Sequence, residues 1–240
     1  MDLILIPGLW LDGSSWDAVV PALQQAGHRT HPLTLPGMAS LEADRTGITL
    51  RDHVDAVVEV IDALDPAGGQ VVLVGHSGGG AIAHAAVDVR PVRVARVVYV
   101  DAGPPADGGA INDQLPVENG EIPRPDWSLF EEEDLVDLDD GLRAAFRARA
   151  VPSPARVATD AVRLTDERRY GVPVTVVACE FPSALLQDWM EQGHPYAQEL
   201  ARIRSVELVD LPTGHWPQFT RPTDLAEAIL AAVAPTSVSR

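Results

Sequence analysis

The sequence predicts an α/β fold, a mostly parallel, doubly wound sheet of about six strands with a cap insertion. The first observation is the order of elements, because short apolar runs alternate with helical patterns over most of the 240 residues. The second is the run 71–74, Val-Val-Leu-Val, whose continuous apolarity is typical of a strand covered on both faces. The third is composition, since 46% of the residues are hydrophobic, enough for one domain with a sizeable core.

In the N-terminal part of the chain, predicted strands and helices alternate regularly. The predicted strands are 3–6, 29–35, 71–74 and 94–100. The first predicted helix covers 16–26, with Ser14 or Ser15 as its N-cap. Thr49 is the predicted N-cap of a second helix, 50–64, whose apolar residues fall on one face.

From 103 to 171 this alternation stops, and Pro, Gly and acidic residues accumulate. An insertion between two strands of the sheet is interpreted as a cap over the site. We therefore assign 1–102 and 172–240 to the core and 103–171 to the cap. The elements predicted after residue 142 are a cap helix at 143–150, strands at 172–179 and 205–211, and helices at 184–203, interrupted near 193–195, and 225–233.

Residues 75–79, Gly-His-Ser-Gly-Gly, match G-x-S-x-G, a sharp strand-to-helix turn that exposes a nucleophilic serine. Ser77 would sit at the apex, where side chains two positions to either side would collide with the strand and the helix. The N-terminus of the following helix offers unpaired N–H groups to a developing oxyanion. The alternative, a phosphate-binding turn, is disfavoured because no G-K-[ST] or G-x-G-x-x-G follows, and all 18 basic residues are Arg.

Two further candidate residues follow predicted strands, where the carboxyl ends of a parallel sheet gather ligand-binding groups. Asp101 comes directly after the fourth predicted strand, and His215 lies in the loop after the last one. The order Ser77, acid, His215 is that of the triads built around such a turn. The loop after the first strand is the expected place of a second oxyanion donor, the N–H of Leu9.

The sequence resembles the α/β-hydrolase superfamily over nearly all its length. Segment 6–16, Ile-Pro-Gly-Leu-Trp-Leu-Asp-Gly-Ser-Ser-Trp, followed by Ala-Gly-His at 26–28, carries the resemblance. It is most similar to the compact branch that contains plant methylesterases and hydroxynitrile lyases, and to small hydrolases of high-GC bacteria. The resemblance implies the α/β-hydrolase fold.

The resemblance also implies a Ser77–His215 pair and an oxyanion hole formed by the N–H groups of Leu9 and Gly78. This chain departs from the family at one place in the first loop. Family members usually carry His before the first Gly, whereas this chain has Pro7, which has no N–H to donate.

The third triad residue has two candidates. The family usually carries its acid a few residues after the strand at 174–179, and Glu180 lies there, although earlier than the usual position. The turn at residues 75–79 is called the nucleophile elbow. A subset that includes haloalkane dehalogenases takes the acid from the end of the strand after the helix that follows this elbow, which fits Asp101. We favour Asp101 on the geometry required of a group that orients the histidine, with Glu180 as the alternative acid.

The predicted activity is hydrolysis of a small, partly apolar ester, thioester or lactone through an acyl-enzyme on Ser77. In this mechanism His215 removes the serine proton, and the acid holds the imidazole in the required tautomer. Two other hypotheses stay open: a C–C lyase on the same scaffold, and a catalytically silent protein that binds a small ligand.

The residues predicted to line the substrate pocket are Trp10, His76, Trp127, Phe130 and Trp216. Trp127 and Phe130 fall in the cap, so they are expected either on its underside, facing the substrate, or in its own apolar core.

Charge and cysteine content restrict the function class. The net charge of −17 argues against binding to nucleic acid or to an anionic membrane, which leaves a small-molecule substrate as the expected partner. The single cysteine, Cys179, excludes an internal disulfide and fits a reducing compartment, so we expect a cytoplasmic protein. Without a Cys/His cluster, we expect neither a metal nor a cofactor.

Overall fold

The computed structural model describes residues 1–65 and 68–234. The strands are β1 Asp2–Ile6, β2 Arg29–Pro32, β3 Val71–His76, β4 Val94–Val100, β5 Glu121–Ile122, β6 Ser153–Pro154, β7 Val174–Ala178 and β8 Val206–Asp210. Six of them form a parallel sheet in the order β2-β1-β3-β4-β7-β8. Strands β5 and β6 form a separate antiparallel pair.

The α-helices are α1 Val20–Gln25, α2 Leu50–Ala63, α3 Gly78–Val89, α4 Asp140–Arg149, α5 Ala155–Thr159, α6 Ser183–Gln192, α7 Pro217–Thr220 and α8 Pro222–Val233. Helices α2 and α3 cover one face of the six-stranded sheet, and α1 and α8 cover the other. No described helix combines the length and the apolar character needed to cross a membrane.

The apolar runs of the sequence are explained by this double covering. Successive residues of a strand point to opposite faces, so Leu73 packs with α2 and α3, whereas Val72 and Val74 pack with α1 and α8. All three side chains are buried, as expected for a strand that is covered on both faces. The predicted fold class, a doubly wound parallel sheet, is confirmed.

The first helix begins later than predicted. Helix α1 starts at Val20, and neither Ser14 nor Ser15 caps it. Instead, the side chain of Asp12 accepts a hydrogen bond from the N–H of Ser14 at 2.8 Å and caps a short 3₁₀ turn. Pro21, which has no N–H, fits the first turn of a helix and so favours the later start.

Other boundaries follow local chemistry more closely. Thr49 caps α2 as predicted, and its side chain and that of Asp52 satisfy each other's backbone N–H groups in a capping box. Helix α6 ends at Gln192, and Gly193, the residue that follows, has a φ of 69° in the left-handed region. Short 3₁₀ turns replace the rest of the predicted helix. Strand β2 ends at Pro32, three residues before its predicted end at residue 35.

The insertion at 103–171 packs over the carboxyl edge of the sheet through a cluster of aromatic side chains. Its members are Trp10, Trp127, Phe130, Phe146 and Trp216. Trp10 and Trp216 belong to loops that follow β1 and β8, so the cluster joins the insertion to the sheet. The division into core and cap stays a prediction, and positions 66–67 and 235–240 of the core lie outside the described residues.

Candidate active site

The turn between β3 and α3 holds Ser77 in a strained conformation, with φ of 51° and ψ of −126°. A Cβ atom at Gly75 would lie 2.5 Å from the carbonyl oxygen of Gly79. A Cβ atom at Gly79 would lie 2.5 Å from the carbonyl oxygen of Ile6, at the end of β1. Both glycines are therefore required by close backbone approach, on the helix side and on the strand side of the turn.

Ser77 is connected to His215 and to two carboxylates. The Oγ atom of Ser77 lies 2.8 Å from Nε2 of His215. The Nδ1 atom of His215 lies 2.6 Å from Oδ2 of Asp101 and 2.6 Å from Oε1 of Glu180. The structure thus brings together both acids that the sequence offers, each after a strand of the same parallel sheet, and the arrangement can move a proton between Ser77 and His215.

The surroundings of Asp101 favour its ionised form. It is the first residue after β4, has a φ of 45°, and its side chain is buried. Its Oδ1 atom accepts hydrogen bonds from the backbone N–H groups of Cys179, at 3.0 Å, and Glu180, at 3.3 Å. Although burial favours the neutral acid, the hydrogen bond with His215, the charge of His215 and the hydrogen bonds with Glu180 together outweigh it and hold the pKa of Asp101 below its usual value.

The pKa values of Glu180 and His215 are both raised, in contrast to the lowered pKa of Asp101. Burial raises the pKa of Glu180 to about 7, and the charge of Asp101 adds to this against the hydrogen bond with His215. Burial works to lower the pKa of His215, but its hydrogen bonds to Asp101 and Glu180 outweigh this and raise that pKa. Near neutral pH, Asp101 therefore carries the negative charge and Glu180 retains a proton for part of the time.

His76 supports the histidine loop from below. Its Nε2 atom lies 2.7 Å from the carbonyl oxygen of His215, so this nitrogen carries the proton and donates it. Its Nδ1 atom accepts a hydrogen bond from Nε2 of Gln218 at 3.1 Å. Burial, with a smaller contribution from the charge of His215, lowers the pKa of His76 to about 3, so His76 is neutral. The N–H of His215 is held from the other side by the carbonyl oxygen of Asp134, at 2.8 Å.

The candidate oxyanion donors lie at the switch point of the sheet, where β1 has β2 on one side and β3 on the other. The loop after β1 passes so close to the elbow that a Cβ atom at Gly8 would lie 3.0 Å from Cβ of Ser77. Within the described residues, the N–H groups of Leu9 and Gly78 donate no hydrogen bond to the protein. Both are therefore available to an oxyanion on an acyl group bound to Ser77.

The insertion fixes this first loop. Trp10 has a φ of 66°, and its N–H donates to the buried Oγ of Ser153 at 2.7 Å. The carbonyl oxygen of Trp10 accepts from the N–H of Val151 at 2.9 Å. These contacts support the loop where the chain has Pro7 in place of the family's usual histidine.

A cavity of about 560 Å³ opens above Ser77. Its lining includes Trp10 and Phe130. The sequence also predicts that His76, Trp127 and Trp216 line the pocket, but in the structure they do not. His76 lies beneath the elbow, and both tryptophans pack with Phe146 in the aromatic cluster.

Sequence reasoning missed one wall of the cavity, which the segment after α6 supplies. Pro195, Tyr196 and Gln198 line this wall. The signal in the sequence is the Gly-His-Pro break at 193–195, which ends the helix and turns the chain back towards the site.

Among the described residues, one group has the density of ligand atoms that a metal ion needs. Asp101, Glu180 and His215 offer ligand atoms within 4.8 Å of one another. These atoms already lie at the hydrogen-bond distances given above, so protons shared between them account for their closeness.

The chain matches known proteins over nearly all its length. A model of the alpha/beta hydrolase family matches residues 3–228. A pyrethroid hydrolase of Sphingobium wenxiniae is 30% identical over 244 residues, which cover 95% of this chain and 86% of that protein. Methylesterase 7 of Arabidopsis thaliana is 25% identical over 255 residues, which cover 95% of this chain and 94% of that protein.

A solved structure shows the same fold. An extracellular α/β-hydrolase from a Paenibacillus species superposes with a TM-score of 0.75 at 22% identity, over 97% of this chain and 98% of that chain. That enzyme is described as sharing structural and functional homology with tobacco salicylic acid binding protein 2. The expected α/β-hydrolase fold is confirmed.

Proposed function

This chain belongs to the alpha/beta hydrolase family and is a carboxylic ester hydrolase; from that premise we propose that it works through an acyl-enzyme on Ser77. The observation that carries the proposal is the hydrogen-bonded series from Ser77 through His215 to Asp101, with distances of 2.8 Å and 2.6 Å. A serine hydroxyl becomes an effective nucleophile when an adjacent base accepts its proton and a carboxylate orients that base.

In the proposed reaction, Nε2 of His215 takes the Ser77 proton as Oγ attacks the ester carbonyl. The oxyanion that forms is bound by the N–H groups of Leu9 and Gly78, and each such donor is worth about 2.7–4 kcal/mol at the transition state. The imidazolium then protonates the leaving alcohol. In the second half, His215 activates a water molecule that hydrolyses the acyl-enzyme.

The cavity supports an uncharged, partly apolar small molecule as the substrate. Its volume of about 560 Å³ is in the range of pockets that hold small organic ligands. Its described lining is mainly apolar and contains no Arg side chain, and its one basic group, His215, is already paired with Asp101 and Glu180. A substrate with its own carboxylate would meet the like charge of Asp101 there without an unpaired counter-ion. The names of two relatives, pyrethroid hydrolase and methylesterase, agree with ester cleavage.

The nucleophile is tested by intact mass after treatment with a fluorophosphonate. We expect one adduct on the wild-type protein and none on Ser77→Ala. Ser128→Ala, which changes an exposed serine, is the matched control and should keep the adduct. An adduct on folded Ser77→Ala, or none on the folded wild type, would contradict the assignment of Ser77.

The substrate class is tested with a matched pair of esters, dimethyl terephthalate and monomethyl terephthalate, which differ by one free carboxylate. We expect kcat/KM to be at least about tenfold higher for the diester, equivalent to about 1.4 kcal/mol. Equal values for the two esters would show that charge does not select the substrate.

A further inference from the structure

Two carboxylates converge on one nitrogen of His215. Nδ1 of a neutral imidazole carries a single proton, yet Asp101 and Glu180 each place an oxygen 2.6 Å from it. Asp101 satisfies its second oxygen with two backbone N–H groups. The side chain of Glu180 has no such donors among the described residues, and its polar partners are His215 and Asp101. The two acids therefore have different roles at the same nitrogen.

Among the described residues, no Arg side chain supplies a compensating positive charge to Glu180. The titratable groups that face Glu180 are Asp101 at the end of β4, Cys179 at the end of β7, Tyr196 after α6, and His215 after β8. Burial raises the pKa values of the Cys179 thiol and the Tyr196 phenol, so both stay neutral. Two adjacent carboxylates without a counter-ion do not both ionise beside a neutral imidazole.

We propose that Glu180 is a positioning residue that acts through His215: it shares one proton with Asp101 and His215 and thereby sets the lowest pH at which His215 is a base. The proposal rests on Ser77 and His215 performing the reaction described above.

The proton balance has two arrangements with the same number of protons. In the first, Asp101 is ionised, Glu180 is protonated, and His215 is neutral with a free lone pair on Nε2. In the second, Glu180 is ionised and His215 carries protons on both nitrogens, so Nε2 cannot accept the proton of Ser77. Only the first arrangement is active, and the charge of Glu180 favours the second.

The sign of the pH effect follows from this balance. Each carboxylate beside His215 stabilises the imidazolium and raises the pKa of His215. A base must be neutral to act, so activity is lost as the pH falls through that pKa. Removal of the Glu180 charge lowers the pKa of His215 and extends activity to lower pH.

The informative variant is Glu180→Gln. Its amide has a carbonyl oxygen that accepts from His215 and an N–H₂ group that donates to Asp101, so it imitates the protonated acid and cannot ionise. Asp101→Asn is the comparison variant, since it alters the acid with the two backbone donors. Asp188→Asn is the matched control, because it removes one negative charge from an exposed position on α6.

The rate of fluorophosphonate labelling is measured for each protein from pH 4 to pH 9, together with kcat/KM for an ester. For Glu180→Gln we expect the acid limb to move down by about one pH unit, with a loss of plateau activity far smaller than that of Asp101→Asn. For Asp101→Asn we expect the plateau to fall by about 10³–10⁴. Asp188→Asn should superpose on wild type.

Two results would overturn the proposal. An acid limb of Glu180→Gln that coincides with wild type would show that Glu180 does not affect His215. A plateau loss in Glu180→Gln as large as in Asp101→Asn would make Glu180 the orienting acid itself.

A second measurement separates this proposal from the proposed function. The ring of His215 is titrated by ¹H–¹³C NMR in Ser77→Ala and in Ser77→Ala with Glu180→Gln, with His215→Gln to identify the signal. If the wild type were not labelled, the function would fail, yet a lower pKa of His215 in the double variant would still support the shared proton. An unchanged pKa would refute it.

Discussion

Gly8→Ala tests the close approach between the first loop and the elbow. A Cβ atom at Gly8 would lie 2.9 Å from Nδ1 of His76 and 3.0 Å from Cβ of Ser77. Ordinary carbon–carbon contacts are about 3.5–4.0 Å, so the loop must retreat by about half an ångström or more. The N–H of Leu9, the next residue, moves with it. Loss of one oxyanion donor lowers kcat by about 10²–10³, equivalent to about 2.7–4 kcal/mol.

The assay is kcat and KM for a neutral ester, with thermal unfolding measured alongside to show that the variant is folded. Gly171→Ala is the matched control, since its Cβ atom would meet only Nη1 of Arg204, at 3.9 Å. We expect the control to keep wild-type kcat. A folded Gly8→Ala protein with kcat within about threefold of wild type would refute the argument that this approach positions the Leu9 donor.

Two further predictions concern buried polar contacts. Arg169→Met removes the guanidinium that lies between the buried carboxylates of Asp88, at 3.1 Å, and Glu199, at 2.8 Å. We expect the free energy of unfolding, measured in urea, to fall by about 3–5 kcal/mol, and a fall of less than about 1 kcal/mol would contradict this. Ser153→Ala leaves the N–H of Trp10 without its acceptor, so we expect the free energy of unfolding to fall by about 1–3 kcal/mol and kcat to fall at unchanged KM. Wild-type stability together with wild-type kcat would show that the Ser153 hydroxyl does not hold the loop.

The sheet could be predicted from the sequence because its central strands are mainly apolar on both faces, whereas the edge strands β2 and β8 are partly exposed. The prediction for β4, 94–100, matches its observed bounds, and the β3 run required only the addition of Gly75 and His76. The predicted start of the first helix was wrong. The cap was expected at Ser14 or Ser15, but the side chain of Asp12 accepts the N–H of Ser14 instead and caps a 3₁₀ turn, an outcome that residue type alone does not decide.

Ser77 and His215 could be placed from the sequence because parallel strands deliver their following loops to one edge. The pocket could not, because the aromatic residues of the insertion can face either the substrate or one another. Phe130 lines the cavity and also packs in the aromatic cluster. Trp127 and Trp216 pack edge to face, with 5.6 Å between ring centroids, and do not line the cavity, whereas Tyr196 does. That choice depends on three-dimensional packing between segments far apart in sequence.

The pairing of Asp101 with Glu180 also depends on three-dimensional packing and could not be predicted from the sequence. From the sequence, Asp101 and Glu180 are alternatives, since each follows a different strand and a triad needs one carboxylate. The sheet order makes β4 and β7 direct neighbours, with Val100 opposite Val177, although the whole insertion separates them along the chain. Asp101 is thereby within reach of the N–H groups of Cys179 and Glu180, and both carboxylates reach Nδ1 of His215. Because the strands are neighbours, the two acids form a pair at His215, and in the proposed mechanism the position of the proton that they share decides whether His215 is a base.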